Sequence, residues 1–235
     1  MSLVCADENA TSTLEDVNID ANDVSMYYKN GTRLSAELND LNDNPLPDCD
    51  LVFSINNQNY TRTTNDDGKA SIAINLIPGK YLANIYFLGN DQYSPSNKSV
   101  NINVLPTISG NDLVKYYRNA SRYSVKVLDD RGSPMAGADV TFNINGVFYN
   151  RLTNSDGVAS LAINLNPGKY IITAQYGDSK VSNTITVLSI IKANDITMKY
   201  RDGTKFKATI LDGYGNPYPN QSVTFNINIK FTSRR

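Results

Sequence analysis

The residues best suited to metal chemistry lie in an acidic loop at residues 40–50, which contains four aspartates and two asparagines. Carboxylate and amide oxygens are the ligands that Ca²⁺ takes in proteins. Two later loops of the same pattern, at residues 129–132 and 212–215, keep few of these oxygens. A metal needed for folding would find its ligands in every copy, and Asp, Asn and Gly are also the usual residues of tight turns. We therefore predict turn chemistry here and no metal site.

Catalytic chemistry lacks its commonest participant, because the chain contains no histidine. Without histidine, the usual triads and zinc sites cannot be assembled. Adjacent carboxylates such as Asp66 and Asp67 fall in a turn, whereas glycosidase chemistry needs two carboxylates held across a cleft. The sequence therefore predicts a protein that is not an enzyme and that uses no cofactor.

Two recurring lysine–asparagine pairs could in principle form covalent cross-links. Lys80 lies near Asn75, and Lys169 lies near Asn164, in each case across one tight turn. A bond across a single turn would add little mechanical strength, so we predict that neither pair is cross-linked.

The two cysteines, Cys5 and Cys49, leave two alternatives open. They could pair as a disulfide in an oxidising compartment, or both could remain free thiols. Ala138 stands where Cys49 would recur in the second copy of the pattern, so the repeated pattern itself does not require a cysteine.

Candidate N-glycosylation sites are provided by six Asn-X-Ser/Thr sequons. They begin at Asn9, Asn30, Asn59, Asn97, Asn119 and Asn220. In an exported protein, glycans at surface loops would solubilise and shield the chain. A chain rich in Asn and Thr also produces sequons by chance, so the motif alone does not establish modification.

All of these residues are positioned by a sequence that repeats itself. Asn22-Asp23-Val24 returns as Asn111-Asp112-Leu113 and again as Asn194-Asp195-Ile196. The first two copies keep a constant offset of 89 residues, and the third follows at an offset of 83. A repeat of this length is a whole small domain, because one coil of a solenoid is much shorter.

Each copy consists of short runs in which apolar and polar residues alternate. One such run, Leu51, Phe53 and Ile55, recurs as Val140, Phe142 and Ile144, and as Val223, Phe225 and Ile227. This alternation predicts strands with one buried face, and pairs such as Asp156-Gly157 and Asn145-Gly146 predict tight turns between them. Six or seven strands in about 85 residues predict an all-β fold of tandem Ig-like antiparallel β-sandwich domains, the last one truncated.

A tyrosine follows a Pro-Gly pair at the same place in both complete copies, at Tyr81 and Tyr170. This position suits a tyrosine corner, in which the hydroxyl bonds back to the backbone. A core aromatic is the alternative.

The turn and core motifs resemble those of bacterial Ig-like domains of the invasin and intimin type. The resemblance rests on Asp129–Pro134 with Ala138–Phe142, and on Thr153–Ala159 with Pro167–Tyr170. The Asn- and Tyr-rich stretch at residues 27–32 is similar to adhesin-like surface proteins of methanogenic archaea. The resemblance covers residues 21–235 and implies an exported tandem stalk, but such motifs specify a fold and say little about a ligand.

The repeat predicts four segments along the chain. Residues 1–20 are expected to be a cloning start and a flexible polar lead-in, residues 21–105 Ig-like domain 1, residues 106–191 Ig-like domain 2, and residues 192–235 a partial third repeat. Linkers are expected at residues 105–110 and 188–193.

The partial repeat, called the third copy below, is too short to bury a core alone. It also lacks the Asn-Gly hairpin turn, since Asn228-Ile229-Lys230 stands in its place. It would therefore be disordered, dock on domain 2, or exchange strands between two chains. We predict a homodimer through residues 192–235.

Charge and hydropathy narrow the partners. The net charge of −1 gives no electrostatic basis for binding nucleic acid, and no apolar run is long enough to span a membrane in this segment. Together with the resemblance, these features predict an extracellular, cell-surface, adhesin-like glycoprotein. Its repeat stalk would support adhesion to a host or partner cell surface through an unknown surface glycan or protein.

Two alternatives to this function stay open. The chain could be a purely structural cell-wall or surface-layer spacer with no ligand of its own. It could also be a carbohydrate-binding module, which would need a row of exposed tyrosines on one face.

Overall fold

The computed structural model describes residues 13–227 and 230–234, as strands, turns and irregular segments. Nowhere in these ranges does a helix form that could cross a membrane. The chain divides into two compact units, with the boundary after Pro106. Domain 1 belongs to the first unit, whereas domain 2 and the third copy belong to the second.

Domain 1 contains eight strands in its described residues. They are β1 (Val17–Asp20), β2 (Val24–Tyr27), β3 (Arg33–Asp40), β4 (Asp50–Ile55), β5 (Gln58–Thr63), β6 (Lys69–Ala73), β7 (Gly79–Phe87) and β8 (Ser96–Leu105). One sheet has three strands in the order β1-β3-β6, and the other has five in the order β2-β8-β7-β4-β5.

Domain 2 repeats this plan strand for strand. Its strands are β9 (Ile108–Gly110), β10 (Leu113–Tyr116), β11 (Arg122–Val127), β12 (Asp139–Ile144), β13 (Val147–Leu152), β14 (Val158–Ala162), β15 (Gly168–Tyr176) and β16 (Ser179–Leu188). The three-stranded sheet has the order β14-β11-β9, and the five-stranded sheet has the order β10-β16-β15-β12-β13. The predicted all-β, Ig-like tandem is confirmed.

Alternation along the strands builds one core in each domain. In β12, Val140, Phe142 and Ile144 are buried, whereas the residues between them are half-buried at the sheet surface. The equivalent residues of β4 are buried in the same way. Each core is therefore formed by the inward side chains of both sheets, as the period of two predicted.

One pairing in each domain departs from the antiparallel prediction. Strand β2 runs parallel to β8, and β10 runs parallel to β16. The chain begins each domain in the three-stranded sheet and crosses to the five-stranded sheet within a few residues. Its second strand therefore lies beside the last strand of the domain, and both run in the same direction.

The tight turns form as predicted, and of the two alternatives for Tyr81 and Tyr170 the structure shows the hydrogen bond of a tyrosine corner. Gly68 and Gly157 adopt φ values of +69° and +72°. Asn145 and Gly146 both have positive φ in the hairpin between β12 and β13, as a type I′ turn requires. The hydroxyl of Tyr81 donates to the carbonyl of Ile77 at 2.8 Å, and Tyr170 makes the equivalent bond to Asn166.

The lead-in and the linkers differ from the prediction. Val17–Asp20 forms a strand that pairs with β3, and Val17 and Ile19 are buried. Within the expected linker at residues 105–110, Ile108–Gly110 forms β9. Within the expected linker at residues 188–193, Ile191–Ala193 also forms a strand. Val17, Ile19 and Ile108 gain more from burial than a solvated segment would offer. Ile191–Ala193 stays exposed and is held by its backbone pairing with Ala208–Ile210.

The third copy forms two separate strand pairs. Strand β17 (Ile191–Ala193) pairs with β18 (Ala208–Ile210), and β19 (Val223–Ile227) pairs with β20 (Lys230–Arg234). Although the Asn-Gly turn is absent from this copy, β19 and β20 keep the antiparallel register of β12 and β13. Dimerisation through this copy stays a prediction.

Candidate binding surfaces

The acidic loops serve their own backbone in every copy. A carboxylate oxygen of Asp40 accepts the backbone N–H groups of Asn42 and Asn44 at 2.8 and 2.9 Å. Asp129 and Asp212 make the same pair of bonds in their own loops. Hydrogen bonds from Asn44 lower the pKa of Asp40. These hydrogen bonds are the ones by which Asp stabilises a tight turn.

Another recurring aspartate, directly before β2, bonds to the neighbouring strand β8 of the five-stranded sheet. The carboxylate of Asp23 accepts the backbone N–H of Asn101 at 2.7 Å and its side-chain N–H at 3.0 Å. These bonds lower the pKa of Asp23, the backbone bond most strongly. Asp112 accepts the backbone N–H of Thr184 in the same way. These carboxylates thus hold their sheets together.

The candidate cross-linking residues are solvent-exposed in both domains. This holds for Lys80 and Asn75 and for Lys169 and Asn164. Cys49 is buried, and burial, with the nearby charges of Asp48 and Asp50, raises the pKa of its thiol. Cys5 lies outside the described residues, so both alternatives, a Cys5–Cys49 disulfide and two free thiols, stay open.

Two candidate glycosylation sites share one open face of domain 1. Asn59 pairs with Ser54, and Asn97 pairs with Tyr86, so both lie on the outer face of the five-stranded sheet. Both are exposed. Asn30 is half-buried and Asn220 is exposed, whereas Asn9 lies outside the described residues.

Asn119 is held in the joint between domain 2 and the third copy. Its side-chain amide donates to the carbonyl of Gly213 at 2.8 Å. A Cβ atom at Gly213 would already lie 3.2 Å from the backbone nitrogen of Asn119. A glycan on Asn119 would therefore displace the third copy from this contact.

A cleft of about 500 Å³ opens at the same joint. Tyr117 and Arg118 line it from domain 2, and Tyr218 and Gln221 line it from the third copy. The Arg118 guanidinium lies 5.6 Å from the Tyr117 ring centroid, and a basic residue stacks on the equivalent tyrosine in the other copies, as Lys29 on Tyr28 and Arg201 on Tyr200. An aromatic ring beside a cation suits sugars and acidic groups.

A buried lysine distinguishes the core of domain 2. Lys115 is 6% exposed, and its ammonium donates to the carbonyls of Ile163 at 2.7 Å and Ser121 at 3.3 Å. Burial lowers its pKa. Met26 occupies the equivalent position in domain 1, so the repeated pattern gave no warning of a charge here.

A buried tyrosine distinguishes the same core. Tyr123 replaces the Leu34 of domain 1, and its hydroxyl donates to the side-chain oxygen of Asn183 at 2.6 Å. Burial, with the nearby charge of Asp112, raises its pKa to about 12. The phenol therefore stays protonated and serves as a structural donor.

The exposed tyrosines of domain 1 do not share one face. Tyr60 lies opposite the buried Phe53, whereas Tyr86 lies opposite Val52 on the other side of the sheet. Gln175 takes the place of Tyr86 in domain 2. The row of rings that a sugar-binding face would need is thus not formed by these residues.

The two domains differ most at the edge of the five-stranded sheet. In domain 2, β13 exposes Phe148 at 67% and Leu152 at 68% of their surfaces. In domain 1, Asn59 and Thr63 of β5 occupy these places. The Asn145-Gly146 turn predicts a strand after it, but the exposed apolar residues of β13 were not singled out, because alternation marks only a buried face. The signal that could have found them is the apolar content of residues 147–152 compared with the polar residues 58–63 of the first copy.

Three solved structures are distant likenesses of the chain, and no family model matches it. A titin I9–I11 tandem superposes with a TM-score of 0.36 and 13% identity, over 74% of this chain and 66% of that one. A bacterial ice-binding adhesin gives 0.31 and 14%, over 94% and 84%. Invasin, a bacterial integrin-binding protein, gives 0.33 and 17%, over 92% and 53%.

These values are too low for a neighbour's role to be carried over to this chain. The strands and cores of the chain itself define its architecture. The chain is an all-β tandem of Ig-like sandwich domains.

Proposed function

We propose that this chain is part of an exported, non-enzymatic, adhesin-like cell-surface protein, in which Ig-like domains form a repeat stalk that supports adhesion to a host or partner cell. The proposal includes the archaeal surface-protein character suggested by the Asn- and Tyr-rich repeats. It also includes glycosylation of the chain. The partner is an unknown surface glycan or protein.

The observation that carries this proposal is that both complete domains use one sandwich plan, in which the recurring carboxylates bond to their own domain. The recurring carboxylates of Asp23, Asp40 and Asp129 each accept backbone N–H groups of their own domain. Groups committed in this way stabilise a rigid repeat and do not act as acids or bases on a substrate. This supports a stalk over an enzyme.

Two surfaces are suited to a ligand. One is the cleft with Tyr117 and Arg118 at the end of domain 2, and the other is the outer face of a five-stranded sheet. On domain 1 that face carries the sequons at Asn59 and Asn97. Glycans at these two sequons would shield the outer sheet face of domain 1. The corresponding face of domain 2 would then be the more accessible one.

The test is an array of surface glycans and host or partner-cell proteins, probed with the full chain. We expect a specific, saturable signal for at least one ligand class. Arg118→Ala should remove a signal that arises at the cleft, and Lys29→Ala is the matched control at the equivalent turn of domain 1. Silence across the array, with the chain shown to be folded, would contradict adhesion and favour the surface-layer spacer.

Mass spectrometry of the chain from its native cells tests the glycoprotein character. We expect occupancy at Asn59 and Asn97, which are exposed, and none at Asn119, whose amide is bonded in the joint. Unmodified asparagine at all of these sites would contradict the glycoprotein proposal.

A further inference from the structure

Strand β13 is an open edge that displays apolar side chains. Across residues 13–227 and 230–234, its ladder hydrogen bonds go to β12 alone. All six of its residues are exposed, and Val147, Phe148, Tyr149 and Leu152 are large apolar or aromatic residues. An exposed apolar edge strand is a template for pairing with another strand.

The equivalent edge of domain 1, strand β5, is polar, and two of its side-chain hydroxyls have hydrogen-bond partners within the domain. The hydroxyl of Tyr60 donates to the side-chain oxygen of Gln58 at 2.7 Å, and the hydroxyl of Thr63 donates to Asp50 at 2.7 Å. Asn59 on the same strand begins a sequon. The two edges share a backbone geometry, so the apolar residues of β13 are not required by the fold.

We propose that two copies of this chain associate by antiparallel pairing of β13 with β13, with Asn150 of one copy opposite Asn150 of the other. In this register Phe148 lies opposite Leu152 of the second copy, and this pair occurs twice. Phe148 and Leu152 lie on the outer face of their sheet, since they pair with Asn143 and Asp139. The two apolar pairs therefore form on one face of a continuous sheet.

The backbone of β13 is oriented for this register. The carbonyl of Asn150 is bonded by the guanidinium of Arg151 at 2.6 Å, so we infer that it points away from β12. Residues of the same parity, Phe148 and Leu152, then present their backbone groups to the open side as well. Three hydrogen-bonded residue pairs would form across the two-fold axis, and the Arg151 side chain would give up its place on the carbonyl.

The displaced arginine has a partner in the same register. Arg151 lies opposite Tyr149 of the second copy, at positions where side chains approach most closely. A guanidinium over a phenol ring is a favourable contact. In this register β13 therefore matches a second β13 in its apolar pairs, in its backbone hydrogen bonds and in the contact of Arg151 with Tyr149. For this reason we take a second copy of the chain as the partner of this edge. The net charge of −1 adds little repulsion.

Sedimentation equilibrium of the full chain is the first test. We expect a reversible dimer that weakens about tenfold in Phe148→Asn/Leu152→Thr, which carries the domain 1 residues and removes both apolar pairs. The matched control, Asn59→Gln/Thr63→Ser in β5, should leave the dimer unchanged. A chain that stays monomeric at high concentration would overturn the proposal and leave β13 to a strand of another protein.

A cross-link reports the register directly. Asn150→Cys places two thiols at the two-fold axis, where hydrogen-bonded partners have a Cα separation of about 5.5 Å that a disulfide can span. We expect a covalent dimer on mild oxidation, above the background that Cys5 and Cys49 give in the wild-type chain. Thr61→Cys, the equivalent position in β5, should stay at that background.

Association through the third copy is a distinguishable outcome. A dimer that persists in Phe148→Asn/Leu152→Thr, and that is lost in Phe225→Asn/Ile227→Asn, would assign the contact to β19. That result would overturn pairing through β13. Failure of the adhesion array would leave this inference standing, since the two measurements share no readout.

Discussion

Strands β5 and β13 hold the same place in two domains that share their turns, their tyrosine corners and their sheet order. They share a tyrosine and an arginine, yet β13 has the apolar residues Val147, Phe148 and Leu152 where β5 has polar ones. Most turn residues stay constant between the copies and most core positions stay apolar, because a change there costs stability; Met26 with Lys115, and Leu34 with Tyr123, are buried exceptions. The edge strands do not pack into the core and are free to diverge. The difference indicates that the distinct role of each domain lies at its edge and not in its core plan.

The largest effect in a comparison of the two cores is expected from truncating their central phenylalanines, Phe53 and Phe142. Phe53→Ala and Phe142→Ala should each lower the stability of their own domain by about 3–5 kcal/mol. The loss should be larger for Phe142 by about 1 kcal/mol, because its ring meets Tyr123 edge-on at 5.9 Å. Native-state hydrogen exchange on the full chain measures each domain separately. Equal losses would show that the ring contact adds nothing.

The turn glycines should respond alike in both domains. A Cβ atom at Gly68 would lie 2.6 Å from the carbonyl oxygen of Leu38, and one at Gly157 would lie 2.5 Å from that of Val127. With the strain of positive φ added, each Gly→Ala change should cost about 2 kcal/mol or more. Denaturant unfolding checks this, with Gly146→Ala as the control whose Cβ meets open space. A cost in only one domain would break the equivalence of the two turns.

The buried Lys115 should make domain 2 less stable than it would be with an apolar residue at this position. Lys115→Met, which installs the domain 1 residue, should stabilise domain 2 by about 1 kcal/mol at pH 7, because a buried charge gives way to an apolar side chain. Met26→Lys is the reciprocal variant and should destabilise domain 1. Hydrogen exchange again reports each domain, and a loss of stability in Lys115→Met would mean that its two hydrogen bonds outweigh burial.

The same lysine predicts a pH dependence with a definite sign. Burial lowers its pKa from 10.5, so between the lowered pKa and about 10.5 the unfolded chain binds the proton that the folded chain has released. The stability of domain 2 should therefore rise with pH across this window. Lys115→Met should abolish the rise, and a rise of the same size in that variant would contradict the assignment.

The smallest effect is expected at Asp23. Its lowered pKa means that its contribution to stability is present above the unfolded value, about 3.9, and is lost as the pH falls through the folded value. Asp23→Asn should make domain 1 less sensitive to acid below pH 4. Acid unfolding followed by circular dichroism tests this, with the turn residue Asp66→Asn as the charge-matched control. Equal flattening in both variants would indicate net charge as the cause.

Much of the fold could be predicted from the sequence because turns and alternation are local signals. Gly157 and Phe142 each reveal their role within a few residues, and the repeat confirms it. Strand β1 was missed although Ile19 precedes Ile108 by one repeat length, since its polar neighbours hide the strand. The parallel pairing of β2 with β8 depends on contacts far apart along the chain, which no local pattern contains.

The candidate surfaces were less predictable for a related reason. Exposure of Phe148 and partial burial of Asn119 are properties of the assembled sheets and of the joint. A sequon at Asn119 looks the same as one at Asn59 until the contact with Gly213 is known. Likewise, Lys115 is an ordinary lysine in the sequence and becomes a buried cation only within the core.

The difference between the two edges is tested most directly by amide hydrogen exchange of the full chain at low and high concentration. We predict that the amides of Phe148, Asn150 and Leu152 gain protection as the concentration rises. The equivalent amides of β5, at residues 59, 61 and 63, should not change. Equal protection of both strands, or of neither, would contradict the claim that β13 is the edge through which the chain associates.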